Sequence, residues 1–266
     1  MVDYNLDILW PAFLTGLLVL ATHVPLGKLV LDRGIVFIDL AIAQVAGLGV
    51  VVADFAGWEP TGWSVQAAAV VAALLSAGFL IWTERHLAAL QEAVIGVVFV
   101  VAASAEIVLL SYNPHGAENL KDLLVGQILW VVPSDLIPVA VLYAIVVACL
   151  AFIDLARRRV LFYILFAITV TASVQLVGVF LVFASLIMPA LVARGLHVQR
   201  PLAFAYAIGL LGYVLGLLSS ALFDLPTGAA IVCALALLAS LAALGRGMVA
   251  KTATSGDAVR DARAEP

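Results

Sequence analysis

Charge is what this chain of 266 residues has least of: Asp, Glu, Lys and Arg make up 11% of it, against 65% hydrophobic residues. An ordinary soluble domain has roughly 25% and 45–50%, so a soluble globular domain is excluded. The two cysteines, Cys149 and Cys233, stand in apolar runs without C-x-x-C spacing. They support neither a disulfide framework nor a thiolate zinc site, and both read as core residues. The net charge of −4 comes without a basic stripe, which excludes nucleic acid as the main partner. No Gly-x-x-x-x-Gly-Lys-[Ser/Thr] phosphate loop is present, since Leu26-Gly27-Lys28-Leu29 lacks the first glycine and the magnesium-holding hydroxyl. The chain cannot hydrolyse ATP alone. Ser/His/Asp and Cys/His clusters and a His-Glu-x-x-His helix are missing too, which turns the reading from enzyme to transport. The opening Met1-Val-Asp-Tyr-Asn-Leu-Asp lacks the positive n-region and cleavage site of a signal peptide, so the first span is expected to be retained.

What is abundant is membrane-length apolar sequence. A bilayer core about 30 Å thick needs about 20 apolar residues per helix. Runs separated by charge or turn clusters predict spans near 8–26, 35–53, 64–83, 94–112, 135–154, 160–176, 177–194, 203–221 and 227–245. The fold class is therefore all-α, a polytopic membrane protein of eight to nine transmembrane helices, with residues 1–246 as one transmembrane domain. Connectors are short, 27–34 and 84–92 among them. The last stretch, 247–266, rich in Ala, Asp and Arg, has too little apolar surface to offset its ordering entropy and is expected to be a disordered cytoplasmic tail.

Orientation follows from Lys and Arg, which are retained in cytoplasmic loops. With the connector holding Lys28 and Arg33 inside, alternation puts twelve of the thirteen basic residues inside, leaving only Lys121 outside beside Glu118 and Asp122. The N-terminus is then outside and the tail cytoplasmic. Trp10, Trp58, Trp63, Trp82 and Trp130 fall near span boundaries, where amphipathic rings anchor in the headgroup region.

In Leu186-Ile-Met-Pro-Ala-Leu-Val-Ala-Arg-Gly-Leu-His197, Pro189 removes a helical hydrogen bond near the cytoplasmic face and Gly195 permits a turn. The pattern predicts a break and a short surface helix able to dock on a cytoplasmic partner, or, more plainly, a kinked span followed by a loop.

At this point the chain resembles the permease subunits of ATP-binding-cassette importers for zinc, manganese and related divalent metals. The resemblance covers most of the chain. It rests on Pro25-Leu-Gly27 with Asp39-Leu-Ala-Ile-Ala-Gln44 and Gly47-Leu-Gly-Val50, and on Glu92-Ala-Val-Ile-Gly96-Val-Val. It continues through Leu124-Val-Gly126-Gln-Ile-Leu129, Pro133-Ser-Asp135-Leu, Val177-Gly178-Val-Phe-Leu-Val, Leu186-Ile-Met-Pro189-Ala and Phe223-Asp224-Leu-Pro226-Thr-Gly228. It implies a homodimeric inner-membrane permease with cytoplasmic ATP-binding-cassette ATPase subunits that bind the ATP, and an extracytoplasmic solute-binding protein. No cofactor is bound permanently, and zinc or manganese is the substrate. Pro189, Arg194, Gly195, His197 and Arg200 correspond to the segment coupled to the ATPase.

Family members commonly carry Asp and His four residues apart in the second span. Laid without gaps, those positions are Leu40 and Gln44 here. Asp39 is adjacent, but five residues from Gln44 it points to a different face. A fourth-span histidine falls near Val100, and the family's cytoplasmic segment between spans five and six is missing, since Arg159 runs straight into Val160.

The remaining candidates come from the residues themselves. Glu106, about 18 Å along the fourth span, is expected past the membrane middle. An ionisable group there marks a pathway, or is a neutral glutamic acid bonded to a neighbouring helix. Asp39 reads as a pathway or gate residue, or as a solvated helix-start residue near Arg33; Gln44 joins the pathway set. His115 and Glu118 in the outer connector form a low-affinity metal mouth or a solvated loop contacting the binding protein. His23 reads as a satisfied interior histidine, His86 and His197 as solvated groups on the inner side. Two other cargoes remain open: a metal chelate or small organic solute, and, in another class, ion-coupled secondary transport with Glu106 as a proton relay.

Overall fold

The computed structural model of the chain describes residues 6–58, 62–113, 116–196 and 200–261; within these, the side chains of 6–8, 116–119, 135, 195–196 and 245–261 fall outside the description. Ten α-helices and no strands occur among the described residues: α1 (Leu6–Arg33), α2 (Ile38–Phe55), α3 (Trp63–His86), α4 (Gln91–Leu110), α5 (Gly116–Val125), α6 (Pro133–Phe152), α7 (Arg159–Val177), α8 (Val179–Leu196), α9 (Pro201–Phe223) and α10 (Thr227–Asp261). Seven are long and apolar enough to cross a membrane, and the apolar stretches Leu136–Phe152 of α6 and Val179–Arg194 of α8 are shorter. The all-α polytopic architecture is as the sequence predicts, with α5 the one short helix that spans nothing.

α2 is the central element. It packs against α3, α4, α7 and α8, which leaves Ile38, Ala41, Ile42, Ala43, Ala46 and Gly47 buried among them. α1, α8, α9 and α10 pack around one another on the other side. Small residues set these distances. Gly27 of α1 lies directly on the Leu186 carbonyl of α8, and a Cβ at Gly49 would come within 2.9 Å of both the Ala68 carbonyl oxygen and the Ala72 methyl of α3. Three glycines bring backbones together without side chains where α5, α7 and α10 meet: Gly126 after α5 touches Val177 and Gly178, and Gly228 of α10 meets the Val125 carbonyl. Gly126 and Gly178 both have left-handed backbones, φ 74 and 79°, which a side chain there would strain.

Several boundaries differ from the sequence reading. The connector expected at 27–34 is helical to Arg33, with Pro25 inside α1. The helix ends at Gly34, φ 70°, where Ile35 N–H donates to Val30 O and Gly34 N–H to Leu31 O, both at 3.3 Å. That is a Schellman cap, and it places the stop seven residues later than the composition suggested. Pro189 likewise does not break α8, which runs on to Leu196; the lost hydrogen bond is tolerated where neighbouring helices hold the backbone. Cys233 is exposed and Cys149 half-buried, not core residues. Apolar runs do not separate core from lipid face, because the bilayer accepts apolar side chains as readily as the interior does. The five tryptophans are all exposed, as expected of boundary anchors.

Candidate functional site

Glu106 and Gln44 meet between α4 and α2. Gln44 Nε2 donates to Glu106 Oε2, and both side chains are buried, at 4% and 1% exposure respectively. Gly47, one turn after Gln44, makes room: a Cβ there would stand 2.6 Å from Glu106 Oε1. The Glu106 partners Gln44 and Gly47 are mid-helix residues of α2.

Each member of the pair keeps a free acceptor. Gln44 Oε1 and Glu106 Oε1 are buried without a hydrogen-bond partner. Among the described residues no Lys, Arg or His forms an ion pair with Glu106. Such a group in a membrane interior costs at least ~2.5–3.5 kcal/mol and is retained where it has work to do.

Asp39 opens α2, and the expectation of a solvated helix-start residue paired near Arg33 fails. It is 1% exposed, with the first-turn amides of Asp39 and Leu40 nearby, yet neither carboxylate oxygen is within hydrogen-bonding geometry of a partner. Arg33 points elsewhere, to the Leu155 carbonyl at 2.9 Å and the Ala156 carbonyl at 3.1 Å. As the helical period required, Asp39 and Gln44 do not share a face. Leu40 and Gln44 do, and together with Phe99, Leu124, Phe183 and Met188 they line an apolar cavity of about 220 Å³ between α2, α4, α5 and α8. Val100 is 57% exposed, pointing away from that cavity.

The residues expected to couple to an ATPase lie at the ends of α8 and α9. Arg194 Nη1 donates to the Leu31 carbonyl at 2.7 Å and lies 3.7 Å from Asp32, which Lys28 also approaches at 3.5 Å. Arg200 immediately precedes α9 and is exposed; Pro189 and Gly195 lie within α8, and His197 lies outside the described residues. At the outer mouth, His115 and the side chain of Glu118 also lie outside them. Their neighbour Asp122 accepts from Gln127 Nε2 at 2.6 Å. Among the described residues no group of three or more His, Cys, Asp and Glu comes together. His23 is buried, its Nδ1 2.9 Å from Val19 O and 3.1 Å from Thr22 Oγ1, while Nε2 has no partner. His86 stacks on Trp82 at the exposed end of α3.

Two residues of consequence were not singled out from the sequence. Gly47 was signalled by its i+3 spacing from Gln44. Gln91 carried no signal: it accepts from Thr83 Oγ1 at 2.9 Å and donates to Leu80 O at 3.1 Å, a contact across the α3–α4 turn.

The model of a family described as "ABC 3 transport family" matches residues 5–157 and 151–245. The chain is 25% identical over 253 residues to the high-affinity zinc uptake system membrane protein ZnuB of Haemophilus influenzae, covering 87% of this chain and 95% of that one. It is 26% identical over 238 residues to the manganese transport system membrane protein MntC of Halalkalibacterium halodurans, covering 82% and 80%. In fold it is similar to a chain of PsaBC from Streptococcus pneumoniae, solved in complex with Fab, with TM-score 0.70, 21% identity, and 88% and 90% covered.

Proposed function

The chain belongs to the ABC 3 transport family, a multi-pass inner-membrane transport subunit and not an enzyme, and from that premise we propose that it is the permease of an ATP-driven importer of a divalent metal ion whose pathway suits manganese better than zinc. The donor set carries this reading. Gln44 and Glu106 offer only oxygen, one buried and unpartnered atom each, and Asp39, on another face of α2, offers two more. Carboxylate and carboxamide oxygens suit manganese, whereas zinc prefers imidazole and thiolate. At the positions where the family carries its Asp/His pair this chain has Leu40 and Gln44, so the imidazole that would favour zinc is gone.

Weak, incomplete ligation is what transport requires, since a full cage would hold the ion too long to release it. The permease works as a homodimer, doubling the oxygen donors around one path. Cytoplasmic ATPase subunits push the segment from Pro189 through Arg194, Gly195 and His197 to Arg200. An extracytoplasmic binding protein delivers the ion near His115 and Glu118. Family membership sets aside the ion-coupled secondary transporter. The apolar cavity beside Gln44 supports the metal-chelate reading.

The test is uptake by permease, ATPase and binding protein reconstituted in proteoliposomes. ATP-dependent manganese uptake exceeding zinc uptake is the expected result. Preference for zinc refutes the oxygen-donor argument, and uptake blocked only by organic chelates favours the second cargo.

A further inference from the structure

The inner ends of α1, α3, α7 and α8 are joined by side chains that the transport pathway does not use. α1's last turn is the centre of these contacts. Its residue 32 and residue 33 grip different partners: Asp32, with the Leu31 carbonyl beside it, is held by Arg194 of α8, and Arg33 reaches the two carbonyls Leu155 O and Ala156 O of the α6–α7 turn. Arg33 is fixed further by its guanidinium, 4.4 Å from the Phe162 ring centroid. Arg159, opening α7, pairs with Glu84 of α3 at 3.1 Å. Thr83, next to Glu84, bonds Gln91, the first residue of α4, and α4 carries Glu106.

The backbone contact of Gly27 with Leu186 makes the inner parts of α1 and α8 one body, because neither has a side chain between them to yield. The network beyond has spare hydrogen-bonding capacity. Arg33 Nε, Glu84 Oε2 and Tyr163 Oη are buried and unpaired, and Glu84, Gln91 and Arg33 surround the Tyr163 hydroxyl. Donors and acceptors from three helices thus face one another with a second way to pair once the α6–α7 turn shifts.

We infer that the Asp32–Arg33 tip of α1 is a transmission joint, with Arg33 and Glu84 as positioning residues that carry displacement of α8's inner end through the α6–α7 turn and α3 to α4 and so to Glu106. The inference rests on the proposed function, and its test separates the two. Permease, ATPase subunits and binding protein are reconstituted together, and manganese uptake and ATP hydrolysis are read in the same vesicles. Arg33→Met keeps an aliphatic stem of similar length and loses the carbonyl bonds together with the guanidinium contact on Phe162; Glu84→Gln weakens the pairing with Arg159. Each is expected to lower metal moved per ATP by about fivefold or more while hydrolysis is retained. Exchanging the charges, Glu84→Arg with Arg159→Glu, is expected to restore much of the ratio. An unchanged ratio in both variants, or uptake and hydrolysis falling in parallel, overturns the joint. If Arg33→Met fails to assemble, Glu84→Gln and the charge exchange decide. Wild-type vesicles whose uptake ignores ATP would instead overturn the function, whatever the variants do.

Discussion

Replacing Gly47 by Ala asks whether the Glu106 side chain or the α2–α4 spacing gives way. The added Cβ would stand 2.6 Å from Glu106 Oε1 and 3.5 Å from its Cδ, so the oxygen is roughly 0.7–1 Å inside a normal carbon–oxygen contact of about 3.3–3.6 Å. A carboxylate at the end of three rotatable bonds moves more easily than a helix, and moving it strips Oε2 from the Gln44 amide. A net intramolecular hydrogen bond is worth about 0.5–1.5 kcal/mol. If the bond positions the carboxyl group for the ion, uptake falls by about two- to tenfold at 1.4 kcal/mol per decade. Stability changes little, because helix propensity returns about 0.5–1 kcal/mol of whatever the crowding costs. The measurements are manganese uptake in proteoliposomes and the unfolding midpoint in detergent. Adding Glu106→Asp, one methylene shorter, should recover part of the uptake by vacating the space. Undiminished uptake in Gly47→Ala, or a loss that Glu106→Asp does nothing to relieve, refutes the reasoning.

Glu106→Gln retains the shape and an amide-to-amide bond with Gln44 but removes the charge; uptake should drop about tenfold or more with dimer assembly intact by size-exclusion chromatography. Asp39→Asn removes a carboxylate buried without partners, so the unfolding midpoint should rise while uptake declines; a lower midpoint would mean the charge is compensated. Gly27→Ala behaves differently from Gly47→Ala, since its Cβ would strike the Leu186 carbonyl, which is backbone. It should cost about 3 kcal/mol or more, read as loss of monodisperse protein.

The spans were legible because lipid leaves the chain little choice: every crossing needs its own run of apolar residues, and Asp or Arg clusters mark where it ends. Connectors were less legible. The same residues, Lys28 to Arg33, read as a loop by charge and fold as two more turns of α1, because the left-handed Gly34 and not the first lysine stops the helix. Pro189 misled for a related reason, since a proline breaks a helix only where nothing braces it. Of the proposed pathway, Glu106 was visible as an ionisable group where none is cheap, and Gln44 through the resemblance. Their bond was not, nor were the Arg33 and Arg194 contacts, whose partners lie 122 and 163 residues away in sequence.

α1 has 28 residues, about 42 Å at 1.5 Å each, against a hydrocarbon slab of about 30 Å. The excess of about 12 Å can be absorbed by leaning or by protruding inward, and the trade between them depends on how thick the host bilayer is. A thicker lipid mixture draws the Lys28–Arg33 turns back toward the headgroups, and a thinner one pushes them into water. Turnover in vesicles is therefore expected to vary with lipid length even when the metal, the nucleotide and the protein are unchanged.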